Sequence, residues 1–231
     1  MQSKNFSTSL TSFLVRVDCV VFGIDDDGLK VLLIKKEQSS NKNCWALPGS
    51  ELQGRTTLEE GARKNLELIG LRKIFLEQLF TYSRVSKNYP NRFISVAYYA
   101  LVNMADYCLN ISKEFGRAAW WPISSLPVLS SEHKQLLDDA VERLRGKVVY
   151  QPIGFELLPR KFTLSQLQRL YEVILERILD KRNFRKKILA MGFLRPLEER
   201  EKDVPRRAAL LYSFDERRYK EFQRQGFIFE I

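Results

Sequence analysis

The sequence predicts an α+β protein made of two consecutive units, and three observations lead to this fold class. Strand-like and helix-like segments alternate over the first unit, and the composition changes across residues 146–160. Beyond that change the order is helix, helix, strand, charged loop, strand, which is typical of a winged helix-turn-helix. We therefore place the units at residues 1–148 and 149–231.

Periodicity predicts the elements of the first unit. Runs rich in β-branched and aromatic residues predict strands, and Asp25-Asp26-Asp27-Gly28 between two of them is a hairpin turn signal. Apolar residues recur at helical spacing over 57–69, and Gly70 is a helix stop signal. We expect strands over 13–22, 29–35, 74–82 and 93–102, a break opening at Trp120-Trp121-Pro122, and a helix over 132–145.

The second unit is shorter, and its elements are predicted in the same way. Apolar faces predict helices over 163–176 and 181–191. Asp180 is placed to accept a hydrogen bond from the free backbone N–H groups of the second helix. A charged loop over 195–207 then separates Phe193-Leu194 from a strand at 209–212.

The formal net charge of +10 is concentrated in the second unit. Residues 151–231 carry 18 Lys and Arg against 12 Asp and Glu, which leaves 20 against 16 for residues 1–150. A basic unit attracts polyanions, and nucleic acid is the commonest of them in the cytoplasm. The charge therefore favours a nucleic-acid partner.

Targeting signals and cysteine usage point to a cytoplasmic protein with no membrane partner. No apolar run approaches the roughly 18 residues that a membrane span needs, and residues 1–11 lack the pattern of a secretory signal. Cys19, Cys44 and Cys108 are far apart and have no metal-ligand spacing, so we expect reduced thiols.

Residues 12–146 resemble the Nudix family. The likeness lies in the strand pair, in the Leu47-Pro48-Gly49 loop that leads into a helix ending at Gly70, and in Trp121-Pro122. Nudix hydrolases carry G-x5-E-x7-R-E-U-x-E-E-x-G-U, where U is a bulky apolar residue, and the glutamates hold Mg²⁺ against a diphosphate. The resemblance implies an α/β/α sandwich with a mixed sheet.

The motif is broken in this sequence, whichever way it is aligned. One alignment takes Leu66 as the apolar residue after the arginine–glutamate pair and needs a gap; the other is anchored on Gly49 and Gly70. The replaced positions are Ser50, Thr56, Lys64, Asn65, Leu68 and Ile69 in the first, and Arg55, Lys64 and Leu68 in the second. We prefer the first because it keeps Leu66 on the buried face. At most one metal-ligand carboxylate remains, so we expect no catalytic residue, no metal site and no cofactor.

Two glutamates remain on the same helix, and their spacing favours a structural role. Glu59 with Arg63 and Glu60 with Lys64 are i, i+4 pairs, each worth a few tenths of a kcal/mol.

A narrower resemblance covers nearly the whole chain. Residues 76–82, 91–101, 162–168 and 180–187 are similar to the Nudix-related transcriptional regulators, which include the NrtR regulators of NAD metabolism and the AraR-type regulators of sugar use. Among these segments, the Asp-Lys-Arg-Asn-Phe-Arg-Lys string that begins at Asp180 is quite specific. The resemblance implies a homodimer in which the Nudix-like unit binds a small effector and thereby alters the affinity for a double-stranded DNA operator.

The second helix of the winged unit is the predicted DNA-reading element. If Phe184, Ile188 and Met191 face the core, the basic residues mostly point elsewhere, and such a helix fits the major groove. A solvated basic helix is the alternative; the turn-helix placement and the basic residues of the wing loop favour DNA. The predicted contacts are Lys181, Arg182, Asn183, Arg185 and Lys186 on the helix, with Arg206 and Arg207 in the wing.

For the effector, the strand-lined cleft of the first unit is the predicted site, and a sugar or an ADP-ribose-like molecule is the predicted ligand. Arg92 and Ser95 lie in the family string, and Trp45 and Tyr82 offer stacking surface, although core packing explains those two aromatic residues equally well. His133, the one histidine of the chain, is interpreted as structural.

The sequence thus predicts a ligand-responsive transcriptional regulator with an inactive Nudix-like sensor, controlling sugar-utilisation or NAD-metabolism genes. Two alternatives stay open. One is a divergent hydrolase of ADP-ribose or a related nucleoside diphosphate derivative. The other is a metabolite sensor that acts through a protein partner.

Overall fold

The computed structural model describes residues 14–35, 45–85, 92–111, 116–202, 208–227 and 229–231. The strands are β1 (Leu14–Asp25), β2 (Gly28–Lys35), β3 (Gly49–Glu51), β4 (Phe75–Val85), β5 (Arg92–Leu101), β6 (Arg117–Pro122), β7 (Phe162–Thr163), β8 (Leu194–Arg200) and β9 (Leu210–Phe214). The helices are α1 (Leu58–Glu67), α2 (Ser131–Tyr150), α3 (Leu164–Leu175), α4 (Lys181–Ala190) and α5 (Glu216–Arg224), with 3₁₀ turns at Met104–Asp106 and Pro152–Leu157. Among these described helices, none is both long and apolar enough to cross a bilayer.

One mixed sheet forms the base of the first unit. Its strand order is β4-β5-β1-β2-β6, and β3 pairs with β1. Strand β1 runs parallel to β5 and antiparallel to β2 and β3. The predicted hairpin joins β1 to β2, where Asp25 pairs with Gly28. Gly28 has φ +126°, which glycine adopts without the steric cost that a Cβ would bring.

Side chains of β1 alternate between two apolar layers, because successive residues of a strand point to opposite faces. Cys19 belongs to the same buried cluster as Leu66 of α1. Val20 faces the other way and belongs to the cluster that contains Leu137 of α2. The sheet therefore lies between α1 and α2, and the predicted α/β/α sandwich with a mixed sheet is confirmed.

The second unit packs its helices against a three-stranded sheet of order β7-β9-β8. Helices α3 and α4 form the helix-turn-helix, and β8 with β9 forms the wing. Phe193 lies fully buried where these elements meet. Five aromatic rings have centroids within 6.4 Å of its own, namely those of Phe155, Phe214, Tyr219, Phe227 and Phe229. The predicted winged helix-turn-helix is confirmed.

The structure differs from the predicted elements at Trp120-Trp121-Pro122. These residues end strand β6 instead of opening a break, and Trp121 pairs with Val31 of β2. Proline is tolerated there because β6 is an edge strand, where one side of the backbone has no neighbour to bond.

The winged unit also departs from the prediction in two elements. Residues 195–200 belong to β8, which pairs with β9 through Arg195, Pro196 and Arg200, so the predicted charged loop is shorter at its start. Helix α5 was not predicted from the sequence. It is a short, highly charged helix whose one buried residue is Tyr219.

The two units share one apolar cluster across their junction. Helix α2 continues to Tyr150, so the expected boundary after residue 148 falls in its last turn, and that boundary stays a prediction. Arg145 of α2 donates from Nε to the carbonyl of Ile174 in α3 at 3.1 Å and forms an ion pair with Glu176. Helix α2 of the first unit thus holds the C-terminal end of α3.

Candidate nucleic-acid interface and ligand cleft

The turn between α3 and α4 is held by hydrogen bonds from α3. Glu172 Oε1 accepts from the backbone N–H of Leu179 at 3.0 Å, and Gln168 donates to the Leu179 carbonyl at 3.0 Å and to Glu172 at 2.9 Å. The hydrogen bond from Leu179 lowers the pKa of Glu172, because it stabilises the carboxylate form. These two side chains tie α3 to the residue before Asp180, and neither was among the predicted functional residues.

Helix α4 begins as predicted, with Asp180 as its cap. The Asp180 carboxylate accepts from the backbone N–H of Asn183 at 2.8 Å. Phe184 and Ile188 are buried, and the Phe184 ring lies 5.7 Å from that of Tyr171 in α3. The face of α4 that carries Phe184 and Ile188 is buried, so the opposite, polar face of this amphipathic helix lies in solvent.

The solvent face of α4 is the candidate DNA-reading surface. Four of the five residues predicted on this helix are exposed there, namely Lys181, Arg182, Asn183 and Lys186. Lys187 is also exposed, and it belongs to the same basic run although it was not among the predicted contacts. Guanidinium and ammonium groups can donate to guanine or phosphate, and an amide can bond adenine, so this surface has the chemistry that the major groove demands.

Arg185 differs from its neighbours because it is half-buried and tied to α3. Its Nη2 donates to Ser165 Oγ at 3.0 Å. The contact orients the guanidinium and cross-links the two helices, and the predicted contact of Arg185 with DNA stays a prediction.

The tip of the wing is only partly described. Arg206 and Arg207 lie outside the described residues, so their predicted contact with DNA stays a prediction. At the base, Lys161 pairs with Glu199 of β8 at 2.7 Å, and Arg200 donates to the carbonyl of Ala208 at 2.9 Å. These contacts fix the two strands from which the tip extends.

Glu172→Ala should destabilise the protein by about 1.5–3 kcal/mol, the value of a hydrogen bond to a charged group. Urea unfolding at pH 7 measures this, and Glu172→Gln, which keeps an acceptor oxygen, is the control with the smaller loss.

A carboxyl group with a lowered pKa stabilises the fold above its ordinary pKa of about 4.3, and that contribution disappears as the pH falls through the lower folded value. The alanine variant should therefore lose less stability than the wild type on acidification below pH 5. Equal stability of all three proteins would contradict the role of Glu172.

In the first unit, a cleft of about 530 Å³ opens between α1, β3 and the start of β1. Its polar and charged lining residues include Arg16, Ser50, Glu51, Gln53, Thr56 and Lys64. Leu68 of the predicted broken motif also lines it. The cleft therefore lies where the Nudix resemblance places the catalytic centre.

The donor set of this cleft does not fit a divalent metal ion. Glu51 supplies the one carboxylate among the described lining residues, and Lys64 is a lining residue of the opposite charge. Asn65 is buried and already engaged, donating to the Val17 carbonyl at 3.1 Å and accepting from Ser50 Oγ at 2.7 Å. Across the described part of the chain, no group of three His, Cys, Asp or Glu could hold a metal ion. Mg²⁺ prefers several oxygen ligands in an octahedral arrangement, and these residues do not supply it.

One of the two predicted glutamate pairs on α1 forms, and the other does not. Arg63 donates to Glu59 Oε1 at 2.7 Å, as predicted. Glu60 does not pair with Lys64. Its carboxylate instead accepts from the backbone N–H of Thr57 at 2.8 Å and from the Thr57 hydroxyl at 2.9 Å, which completes a capping box. The N–H groups at the helix start outcompete a surface ion pair because such pairs contribute little in water.

Ser95 belongs to a buried polar centre beneath α2. It donates to Asp18 Oδ2 at 2.7 Å, and Arg16 donates to Asp18 Oδ1 at 3.1 Å. Burial lowers the pKa of Arg16, but the charge and the hydrogen bond of Asp18 together outweigh it, so the pKa is raised. A Cβ at Gly49 would lie 2.1 Å from Asp18 Oδ1, so this carboxylate also requires glycine at the end of the Leu47-Pro48-Gly49 loop.

Tyr82 and Trp45 are engaged in other contacts. The Tyr82 hydroxyl donates to Asp139 of α2 at 2.5 Å, and the Trp45 ring packs edge-on against Trp121 with centroids 5.3 Å apart. Arg92 begins β5, and its side chain lies outside the described part of the structure. None of the three described effector residues (Trp45, Tyr82 and Ser95) lines the cleft at α1, so their role as ligand contacts stays a prediction.

Arg16 and Lys64 are lining residues of the cleft that were not among the predicted effector contacts, and the Arg16 guanidinium is bonded to Asp18 on the α2 face of the sheet. A signal for Arg16 is present, because Arg16 and Asp18 are charged residues on one face of an otherwise apolar strand. His133, interpreted as structural, accepts at Nδ1 from the backbone N–H of Leu47 at 3.4 Å and so holds the loop next to the cleft.

Comparison with known proteins supports both units. Residues 154–214 match the model of the NrtR DNA-binding winged helix domain. The ADPR-responsive transcriptional repressor NtrR of Acinetobacter baylyi is 31% identical over 206 residues, covering 87% of this chain and 82% of that protein.

The crystal structure of Shewanella oneidensis NrtR complexed with a 27-mer DNA is 27% identical with a TM-score of 0.75, over 87% of this chain and 93% of that one. The Nudix domain of the same Shewanella protein complexed with ADP-ribose is 28% identical with a TM-score of 0.51, over 58% of this chain and 89% of that one. Because the similarity extends across the sensor and the winged helix together, the chain belongs to the NrtR family of Nudix-related transcriptional regulators.

Proposed function

We propose that this protein is a transcriptional repressor that binds operator DNA through α4 and loses affinity for it when ADP-ribose occupies the first unit. The observation that carries the proposal is the solvent face of α4, where Arg182, Asn183 and Lys186 are exposed on a helix fixed by its buried face. The Shewanella NrtR structure with DNA aligns over 87% of this chain, and the Nudix domain of that protein is complexed with ADP-ribose.

ADP-ribose suits the first unit on charge. Its diphosphate carries negative charge, and Lys64 of α1 lines the cleft. The cleft volume of about 530 Å³ lies in the range of small-molecule sites.

Helix α2 offers a physical connection between the effector site and the DNA-binding helices. Near its start, His133 bonds the loop that borders the cleft, and further along Arg145 bonds Ile174 at the end of α3. A shift of α2 on ligand binding would move the helix-turn-helix as a unit. Ligand and DNA would then each reduce the affinity for the other by the same factor.

The direct experiment is fluorescence anisotropy with a labelled duplex from upstream of the gene itself. We expect salt-sensitive, sequence-selective binding, and about a 5- to 150-fold loss of affinity in saturating ADP-ribose, the usual range of allosteric coupling. AMP with ribose 5-phosphate is the matched control, and pentoses and hexoses test the sugar-responsive alternative. Operator binding that no metabolite alters would contradict the effector assignment. Absence of selective DNA binding would instead favour a sensor that acts through a protein partner.

We also propose that the protein does not hydrolyse its effector and that it binds DNA as a homodimer. The carboxylate-poor cleft supports the first point, since metal-assisted hydrolysis needs ligands for the ion. Incubation with ADP-ribose and Mg²⁺ should leave the compound intact, whereas a divergent hydrolase would release AMP and ribose 5-phosphate. A dimer predicts a stoichiometry of two chains per operator in the anisotropy titration, because two-fold proteins bind paired half-sites.

A further inference from the structure

A groove of about 410 Å³ lies between α2 and the edge strand β4, away from the cleft at α1. Two of its lining residues are aromatic and exposed to solvent, Phe80 of β4 at 60% and Tyr150 of α2 at 50%. Buried residues of β4, Leu79 and Tyr82, also line it. Aromatic side chains that are exposed together in one groove are typical of a surface that binds a partner.

A β-bulge turns Phe80 towards this groove. The register between β4 and β5 shifts between Gln78 and Phe80, so Leu79 is the extra residue. Phe80 therefore pairs with Ala97, which belongs to the apolar cluster on the α2 side of the sheet, and its ring lies 5.5 Å from that of Tyr82. In a regular strand, Phe80 would point to the opposite face, because side chains alternate. The bulge thus adds an exposed aromatic ring to the α2 side.

Helix α2 contributes charges of both signs to the same groove. Glu142 and Arg143 line it, and neither forms an ion pair within the described part of the chain. Asp139, the other acidic lining residue, instead accepts from the Tyr82 hydroxyl. In a two-fold interface, residue i of one copy meets residue j of the other and j meets i. Neighbouring free charges of opposite sign therefore make this surface complementary to itself.

Gly146 leaves space in the same groove. It is an exposed residue inside α2, where glycine is less stable than alanine. A Cβ at this position would have no described atom within 4 Å outside the adjoining helix backbone. Packing within the chain therefore gives no reason for a glycine here, whereas a second backbone or side chain could approach closely.

We propose that this groove is the surface through which two copies of the chain pair, with α2 of each copy packed against α2 and β4 of the other. Glu142 of each copy lies against Arg143 of its partner. The inference rests on the proposed homodimer and names its interface. Because Arg145 of α2 bonds Ile174 of α3, the same contact sets the separation of the two DNA-reading helices.

Sedimentation velocity of the full-length protein over a range of concentrations tests the interface. The wild type should be a dimer, and Gly146→Arg should weaken dimerisation about tenfold or more, because the new side chain fills the groove and brings like charges together. Phe80→Ser should give a similar loss from the strand side. Ser131→Arg is the matched control, since it adds an arginine at an exposed position of α2 outside the groove. Circular dichroism should show each variant folded, because the substituted positions are exposed.

A charge exchange tests the two-fold pairing itself. Glu142→Arg should weaken the dimer about tenfold or more, because it places arginine against arginine across the axis. The double variant Glu142→Arg, Arg143→Glu restores opposite charges and should return the dimer affinity to within about threefold of the wild type. A double variant as weak as the single one would contradict this pairing.

The outcomes separate the interface from the proposed function. A protein that remains dimeric with Gly146→Arg, Phe80→Ser and Glu142→Arg overturns the interface, while the homodimer stands. A wild type that is monomeric at every concentration and on the operator overturns both the interface and the homodimer. Selective operator binding by that monomer would leave the repressor assignment in place.

Discussion

The double variant Arg182→Ala, Lys186→Ala should bind the operator about 100-fold more weakly than the wild type. Both side chains are exposed on α4, whose opposite face is fixed by Phe184 and Ile188. A base-reading arginine is worth about 1–3 kcal/mol, and a lysine that bonds phosphate adds a sequence-independent contribution. Anisotropy at several salt concentrations measures both effects. The slope of log affinity against log salt should become shallower, because fewer counterions are released.

The control for this variant must remove the same charge elsewhere. Arg63→Ala, Arg72→Ala removes two exposed arginines from the first unit and should leave operator affinity within about twofold, since screened distant charges contribute little. If the α4 variant retains wild-type affinity and salt dependence, α4 is not the recognition helix.

Phe193→Ala should destabilise the protein strongly, and by more than Glu172→Ala. Phe193 is fully buried and in ring contact with Phe214, Tyr219 and Phe229, which belong to β9, α5 and the C-terminal segment. Removing a buried phenylalanine side chain costs about 3–5 kcal/mol, a large part of the 5–15 kcal/mol typical of a whole protein. We expect a fall in Tm of about 6–20 °C in differential scanning calorimetry.

Operator binding should be lost with the same substitution, because the cluster joins the wing to the helix-turn-helix. Ile178→Ala is the matched control in the same unit: it also truncates a large apolar side chain, but Ile178 is 94% exposed and its loss should change the Tm little. A Phe193→Ala protein that melts like the control would mean that the aromatic cluster does not hold the winged unit together.

Much of the fold follows from local patterns in the sequence. The hairpin turn before Gly28, the helix that contains Leu66 and the Asp180 cap are each encoded within a few consecutive residues. The strand ending at Pro122 and the helix around Tyr219 were missed for the opposite reason. Both depend on partners far away in the chain, β2 for the strand and the aromatic cluster for the helix, and periodicity does not report such partners.

The candidate sites divide in the same way. The sequence alone determined that the Nudix carboxylates are gone and that α4 is basic, because both facts concern which residue types are present. Only the tertiary structure decided the hydrogen-bond partner of each group. Glu60 accepts from Thr57 and does not pair with Lys64. Ser95 donates to Asp18, and Arg185 donates to Ser165. Several partners are within reach of each of these side chains along the sequence or in space, and the choice depends on burial and hydrogen-bond geometry that only the folded chain creates.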